Sequence, residues 1–252
     1  MCGVCTLTLP GLGLRRCLRC AIPIEQLHGN NPLPVCGLCA RQTSVFDASF
    51  TLCNYASPID EMVRSLKFHR RWSLGEALGF SLGQQRGSAM LAYVLQLACE
   101  APSARQRRSG NDGIIRPTLN LCAIPLSAQR FIERGFNQSH LILNGLYSSL
   151  KQNPLASDLF LAKANLLARR RNTEAQTLVQ PESRQQNLVE AFETRQACTD
   201  QIVVLVDDVM TTGATLKSAA LALKSAGAFA VINAVLARTV QDPWAKPPTG
   251  SQ

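Results

Sequence analysis

Carboxylates are in short supply in this chain: 17 Asp and Glu stand against 26 Lys and Arg, for a net charge of +9. That imbalance fits anionic partners such as polyphosphates or nucleic acid, or a basic surface that is only solvated. Aromatic side chains are also sparse. Trp72, Trp244 and three tyrosines are a thin supply for base-stacking platforms. Long apolar runs are missing. The longest candidate, residues 88–99, is interrupted by Gln96, has helical spacing, and falls short of the ~18–20 residues that span a bilayer. No membrane span is therefore expected. No charged-then-apolar leader opens the sequence, because Cys2 and Cys5 come at once and Arg15-Arg16 interrupt the start, so the protein is expected in the cytoplasm.

What is present is ordinary for a globular protein: 252 residues, 46% hydrophobic and 17% charged, enough for one α/β domain and a small module. Cysteine is the exception. Six of the ten cysteines form Cys-x-x-Cys pairs, at Cys2/Cys5, Cys17/Cys20 and Cys36/Cys39. A two-residue gap lets both thiolates face one ion across a tight turn. The set Cys17, Cys20, Cys36 and Cys39 has the spacing of a four-thiolate zinc ribbon. Zinc would supply the folding energy that so short a segment cannot draw from a core, and a reducing cytosol disfavours a disulfide scaffold instead. Cys2 and Cys5 are left open: half of a truncated double ribbon, competitors for the one zinc, or ligands shared between two chains. His28 reads as a solvated loop residue, and Cys53, Cys99, Cys122 and Cys198 as small buried hydrophobes.

The most informative string is residues 202–216. An apolar run, Ile202 to Val206, ends in adjacent carboxylates, Asp207 and Asp208. Val209 and Met210 follow, then the small-residue turn Thr211-Thr212-Gly213-Ala214-Thr215. A helix begins there, with Leu216, Ala219, Ala220 and Leu223 on one face and Gly227 as its C-terminal stop. Residues 229–237 read as a second buried strand, giving a βαβ unit and a parallel sheet. Two carboxylates at a strand end can accept hydrogen bonds from two neighbouring sugar hydroxyls. A glycine-containing turn at a helix N-terminus can wrap a phosphate, with Gly213 where the backbone must come closest and threonine hydroxyls as further donors. The string is therefore shaped for a sugar phosphate, at the strand C-termini where open α/β sheets bind ligands.

The rest of the chain supplies further strands and helices. Residues 50–55 and 119–124 read as strands, 58–67, 73–99 and 140–150 as helices, and a short strand begins near Leu159. Arg130 and Arg134 lie one helical turn apart before Gly135. Basic clusters occur at Arg105, Arg107 and Arg108 and at Arg169-Arg170-Arg171, the latter in a polar stretch long enough for an active-site flap.

Several strings together resemble the ComF family, within it the GntX-like branch. They are the paired cysteines, residues 66–71 (Leu-Lys-Phe-His-Arg-Arg), Ile124-Pro125-Leu126 with Arg130, residues 134–139 (Arg-Gly-Phe-Asn-Gln-Ser), residues 171–176, Arg184 with Asn187 and Ala191-Phe192, and the 207–215 turn. The turn is also similar to the signature with which type I phosphoribosyltransferases bind 5-phosphoribosyl 1-pyrophosphate (PRPP). The resemblance implies a phosphoribosyltransferase-like α/β domain over 50–240, a zinc ribbon over 1–43 and a frayed tail over 241–252. It implies PRPP contacts from residues 209–215 and from Lys67, Arg130 and Arg134. It also implies an acceptor pocket or flap from Gly135, Asn137, Gln138, Arg171, Thr173, Gln176, Arg184 and Asn187. A link to DNA uptake, or to the use of external DNA, follows from the same resemblance.

Two functions are expected from this. In the first, Asp207 and Asp208 hold the ribose, Mg²⁺ bridges the pyrophosphate and the sugar, and a phosphoribosyl group passes to an unidentified acceptor. In the second, the protein is a non-catalytic accessory factor of transformation. It would bind single-stranded DNA or competence proteins, with a vestigial or sensory PRPP site.

Overall fold

The computed structural model describes residues 6–24, 34–101, 117–170 and 191–240. The elements in chain order are α1 (Gly37–Arg41), β1 (Ala48–Asn54), α2 (Ile59–Phe68), α3 (Trp72–Glu100), β2 (Thr118–Ala123), α4 (Ala128–Arg134), α5 (Gln138–Leu150), β3 (Phe160–Lys163), β4 (Leu167–Arg169), β5 (Phe192–Thr194), β6 (Ile202–Met210), α6 (Ala214–Ser225) and β7 (Ala230–Arg238).

Strands buried on both faces read as continuous apolar runs, and β6 and β7 do so because they are central. The sheet order is β1-β7-β6-β2-β3, with every pairing parallel. Successive side chains of β6 alternate between two cores. Ile202, Val204 and Val206 pack toward α3 and α5, whereas Val203 and Leu205 pack toward α6. Each such buried side chain contributes roughly 1.5–3 kcal/mol. The result is the expected parallel sheet with flanking helices. Among the described residues, no helix is long and apolar enough to cross a membrane.

Two close packings fix the frame around the sheet. Helix α3 carries Gly75, Gly79, Gly83 and Gly87, one every four residues, on the stripe that meets α5. A Cβ at Gly79 would overlap the Ile142 carbonyl, and one at Gly145 would overlap that of Glu76. The two backbones therefore touch, and the N-terminal turn of α5 is held against the end of β6. At the sheet edge, residues 6–24 lie along β1: Ser49 N donates to Leu18 O at 2.6 Å and Asn54 N to Pro10 O at 2.7 Å. Covering an edge strand in this way removes a row of unpaired backbone groups.

Three features differ from the sequence reading. Strand β6 runs on past the carboxylates to Met210, because the ladder with β7 continues through Asp207↔Val235 to Met210↔Arg238; the strand ends two residues beyond the acidic pair rather than at it. Strands β4 and β5 form an antiparallel pair that three-residue segments gave no periodicity to reveal. Cys99 is exposed on α3, whereas Cys53, Cys122 and Cys198 are buried as expected.

Candidate functional site at the carboxyl end of the sheet

Asp207 and Asp208 point to different surroundings because neighbouring strand residues face opposite sides. Asp207 Oδ1 accepts from Ser139 Oγ at 2.9 Å and from the Asp208 N–H at 2.9 Å. Ser139 sits in the first turn of α5, whose N-cap, Asn137, accepts from Ser139 N and donates to Ile124 O at 2.9 Å. Asp208 is buried. Its Oδ1 accepts from Val209 N at 2.7 Å, and its Oδ2 lies 2.5 Å from Lys67 Nζ on the last turn of α2. Burial pushes the Asp207 carboxyl up to about 7, and the Asp208 charge pushes the same way. The Asp208 N–H, Ser139 and Lys67 pull it back in part.

The 211–215 turn follows at once. Gly213 is the N-cap of α6 at φ +80°, a left-handed conformation that favours glycine. No side chain of the cap residue closes the helix end. Thr212 Oγ1 takes only the Ala214 N–H, at 3.3 Å. The remaining first-turn N–H groups face outward as donors with the positive end of the helix behind them. Thr211, Thr212 and Thr215 are exposed.

Arg134 donates to Gln138 Oε1 at 3.0 Å, and its guanidinium lies 5.5 Å over the Phe68 ring. Gly135 closes α4 in the left-handed region at φ +76°. Arg130 lies in the first turn of α4, where Ser127 Oγ accepts from its backbone N–H at 3.3 Å. The structure thus gathers Asp207, Asp208, Lys67, Arg134, Asn137 and Gln138 at one end of the sheet. Arg171, Thr173, Gln176, Arg184 and Asn187 lie outside the described residues, as do Cys2, Cys5, His28, Arg105, Arg107, Arg108, Trp244 and the 241–252 tail. Strands β4 and β5 flank 171–190, and Arg170 N donates to Ala191 O at 3.0 Å.

Cys17, Cys20, Cys36 and Cys39 converge, with their sulfur atoms all within 4.8 Å of one another. Cys20 and Cys36 Sγ are 3.8 Å apart. Four thiolates at about 2.3 Å from a tetrahedral zinc sit roughly 3.8 Å from each other, so the cluster can hold such an ion. It is compatible with an N-terminal zinc-ribbon module. The Cys36 N–H donates to Cys17 Sγ at 3.3 Å. Hydrogen bonding from Cys20, with backbone N–H groups, holds the Cys17 thiol down, while that same bond and burial push the Cys20 thiol up and burial raises Cys39, so one proton is held unevenly within the cluster.

Sequence reading missed three parts of this region. Ser139 closed a family string, yet its contact with Asp207 needs the α3–α5 packing. Arg238 ends an otherwise apolar strand, and that misfit was the available signal. Phe68 and Trp72 are 65% and 54% exposed, and the Trp72 and Phe136 rings lie 6.0 Å apart; few as they are, the aromatics are clustered.

A family model described as phosphoribosyl transferase domain matches residues 152–247. The DNA utilization protein YhgH of Escherichia coli K12 is 30% identical over 225 residues, 89% of this chain and 84% of that protein. Its Salmonella typhimurium LT2 counterpart is 29% identical over 241 residues, 94% and 91%. Competence protein F of Haemophilus influenzae is 26% identical over 195 residues, 76% and 73%. A solved hypoxanthine phosphoribosyltransferase from Staphylococcus aureus covers 60% of this chain and 66% of its own at 13% identity, with a TM-score of 0.30, a likeness too loose to carry an argument.

Proposed function

This chain belongs to the ComF family of proteins with a phosphoribosyltransferase domain, and from that we propose that it binds PRPP with Mg²⁺ and transfers the phosphoribosyl group to an acceptor. The observation that carries the reading is the pairing of Asp207 and Asp208, at the end of β6, with the uncapped N-terminus of α6 behind Gly213. The two carboxylates accept from the ribose hydroxyls, and the outward N–H groups of the 211–215 turn hold the 5′-phosphate. Lys67, Arg130 and Arg134 would steady the pyrophosphate.

Among the described residues the four cysteines converge as potential metal ligands, and no acidic trio does. A magnesium ion would therefore bring most of its oxygen ligands from the pyrophosphate, ribose and water, as suits a hard cation; bound there, it would neutralise the leaving group's charge. The protein's own part is positional. Asp207 and Asp208 fix the sugar, Lys67 balances Asp208 until ligand arrives, and the arginines stabilise charge on the departing group as the C1–O bond breaks. Residues 1–43 would form the zinc ribbon and 50–240 the catalytic unit, in a cytoplasm that keeps the cysteines reduced.

The test is calorimetry of PRPP with Mg²⁺ against the wild type and Asp207→Ala. Heat from the first and none from the second supports the reading, and absence of heat from the wild type ends it.

A second reading draws on the named relatives, a DNA utilization protein and a competence protein. Phe68 and Trp72 are exposed, Arg134 lies over the Phe68 ring, and Arg70 and Arg71 are exposed between them. Exposed rings interleaved with guanidinium groups suit the bases and phosphates of single-stranded DNA. A labelled single strand whose log affinity does not fall with log salt would remove this reading.

A further inference from the structure

Arg238, the last residue of β7, is 7% exposed, and its guanidinium reaches two separate parts of the molecule. Nε donates to Cys20 O at 2.8 Å, inside the four-cysteine cluster. Nη1 donates to Met210 O at 3.0 Å, to Thr211 O, and to Thr239 O at 2.6 Å. Met210 and Thr211 open the turn assigned above to the 5′-phosphate. No carboxylate pairs with Arg238 among the described residues. A buried cation without a carboxylate needs another source of negative charge. Four thiolates around one divalent zinc carry a net charge of −2, and the cluster lies on the guanidinium's Nε side.

The geometry of the peptide group extends the effect. In a trans peptide the C=O and the following N–H point in opposite directions. A guanidinium that holds the Met210 and Thr211 carbonyls toward itself turns the N–H groups of Thr211 and Thr212 away from itself. Neither N–H has a backbone partner among the described residues, so both are available to an anion. The two parts also face each other across a cavity of about 440 Å³. Arg19, Cys20 and Cys39 line one wall, and Thr212, Gly213 and Lys217 the other.

We propose that Arg238 couples the four-cysteine metal centre to the phosphate-binding turn. Zinc occupancy tightens binding of the phosphoribosyl ligand, and the ligand in turn slows zinc release. This rests on the PRPP reading given above. Binding linkage is reciprocal by thermodynamic necessity, with couplings of about 5- to 150-fold in typical proteins, so either direction can be measured.

The experiment follows zinc transfer from the intact zinc-loaded protein to a chromophoric chelator, with and without saturating PRPP and Mg²⁺, alongside PRPP calorimetry. In the wild type, PRPP is expected to slow zinc release about tenfold, within that coupling range. Arg238→Lys keeps the charge but cannot span both sets of carbonyls, so it is expected to release zinc at the same rate with or without PRPP. Arg19→Ala is the control. Arg19 Nη1 donates to Cys39 O at 2.8 Å and Gln42 O at 3.0 Å but not to the turn. That variant should release zinc faster yet still be slowed by PRPP. PRPP binding to the wild type with unchanged zinc release overturns the coupling and leaves the PRPP reading standing. No PRPP binding at all overturns both. Should Arg238→Lys not fold, the wild-type comparison decides by itself.

Discussion

Lys67 Nζ stands 2.5 Å from Asp208 Oδ2, joining the last turn of α2 to the end of β6. Oδ2 is buried and has no aligned hydrogen bond, so it meets the ammonium as an ion pair. The side chains are 22% and 7% exposed, so Asp208 has less water to replace this contact than Lys67 has. On the proposed reading, a ligand that donates hydroxyl hydrogens to Asp208 would free Lys67 to turn toward a leaving anion.

Removing one partner of such a pair strands a buried charge. Lys67→Met is expected to destabilise the fold by about 3 kcal/mol, the lower end for a buried pair because the lysine is partly solvated. Adding Asp208→Asn should restore most of the loss, since the stranded charge is gone. Urea unfolding of the two single variants and the double variant measures the coupling. Equal and additive losses would mean that the pair does not interact.

Binding should depend on pH through Asp207. Its carboxyl is raised from 3.8 to about 7, so the folded state keeps a proton that the unfolded chain has lost. The stability this contributes is complete below pH 3.8, declines as pH climbs toward 7, and is gone above it. Asp207→Asn removes that decline, so its stability relative to wild type should rise between pH 5 and pH 8. Ribose hydroxyls need the ionised form. PRPP affinity should therefore rise with pH up to about 7, by up to about tenfold per unit, the equivalent of ~1.4 kcal/mol. Calorimetry at pH 6 and pH 8 reads this directly, and an affinity that falls with pH would contradict it.

Gly79→Ala should act on the site from a distance. The new Cβ meets the Ile142 carbonyl, so α3 and α5 must separate, at an overpacking cost of about 1–3 kcal/mol. Ser139 moves with α5 and loosens its bond to Asp207. The expected outcome is a lower melting temperature together with weaker PRPP binding. Unchanged PRPP affinity in a destabilised variant would show that Ser139 does not tune the site.

Trp72→Ala tests the DNA reading alone. The Trp72 ring is half exposed and packs against Phe136. Loss of one stacking platform should weaken single-stranded DNA binding by about 1–3 kcal/mol while PRPP calorimetry stays the same. Fluorescence anisotropy with a labelled oligonucleotide measures it.

Much of the site was legible before any coordinates because its parts are local. Ile202 to Val206, Asp207-Asp208 and the Gly213 turn are contiguous, so strand, carboxylates and helix start can be read in one string. The four cysteines are two local pairs whose spacing states a geometry, and their sulfur atoms converge as that spacing requires. What was illegible depends on contacts between distant segments. Strands β4 and β5 have three residues each, too few for a period. Exposure of Cys99 depends on which face of α3 meets α5, and the glycine stripe decides that.

By itself the sequence determined the parallel sheet, the acidic strand end, the glycine turn before a helix and the four-cysteine set, because each follows from residue types a few positions apart. Tertiary structure alone decided that Lys67 neutralises Asp208, that Ser139 holds Asp207, and that Arg238 joins the cysteine cluster to the turn. Those contacts link residues far apart in the chain. A pattern of neighbouring residues carries no information about which remote partner the packed core will bring within hydrogen-bonding distance.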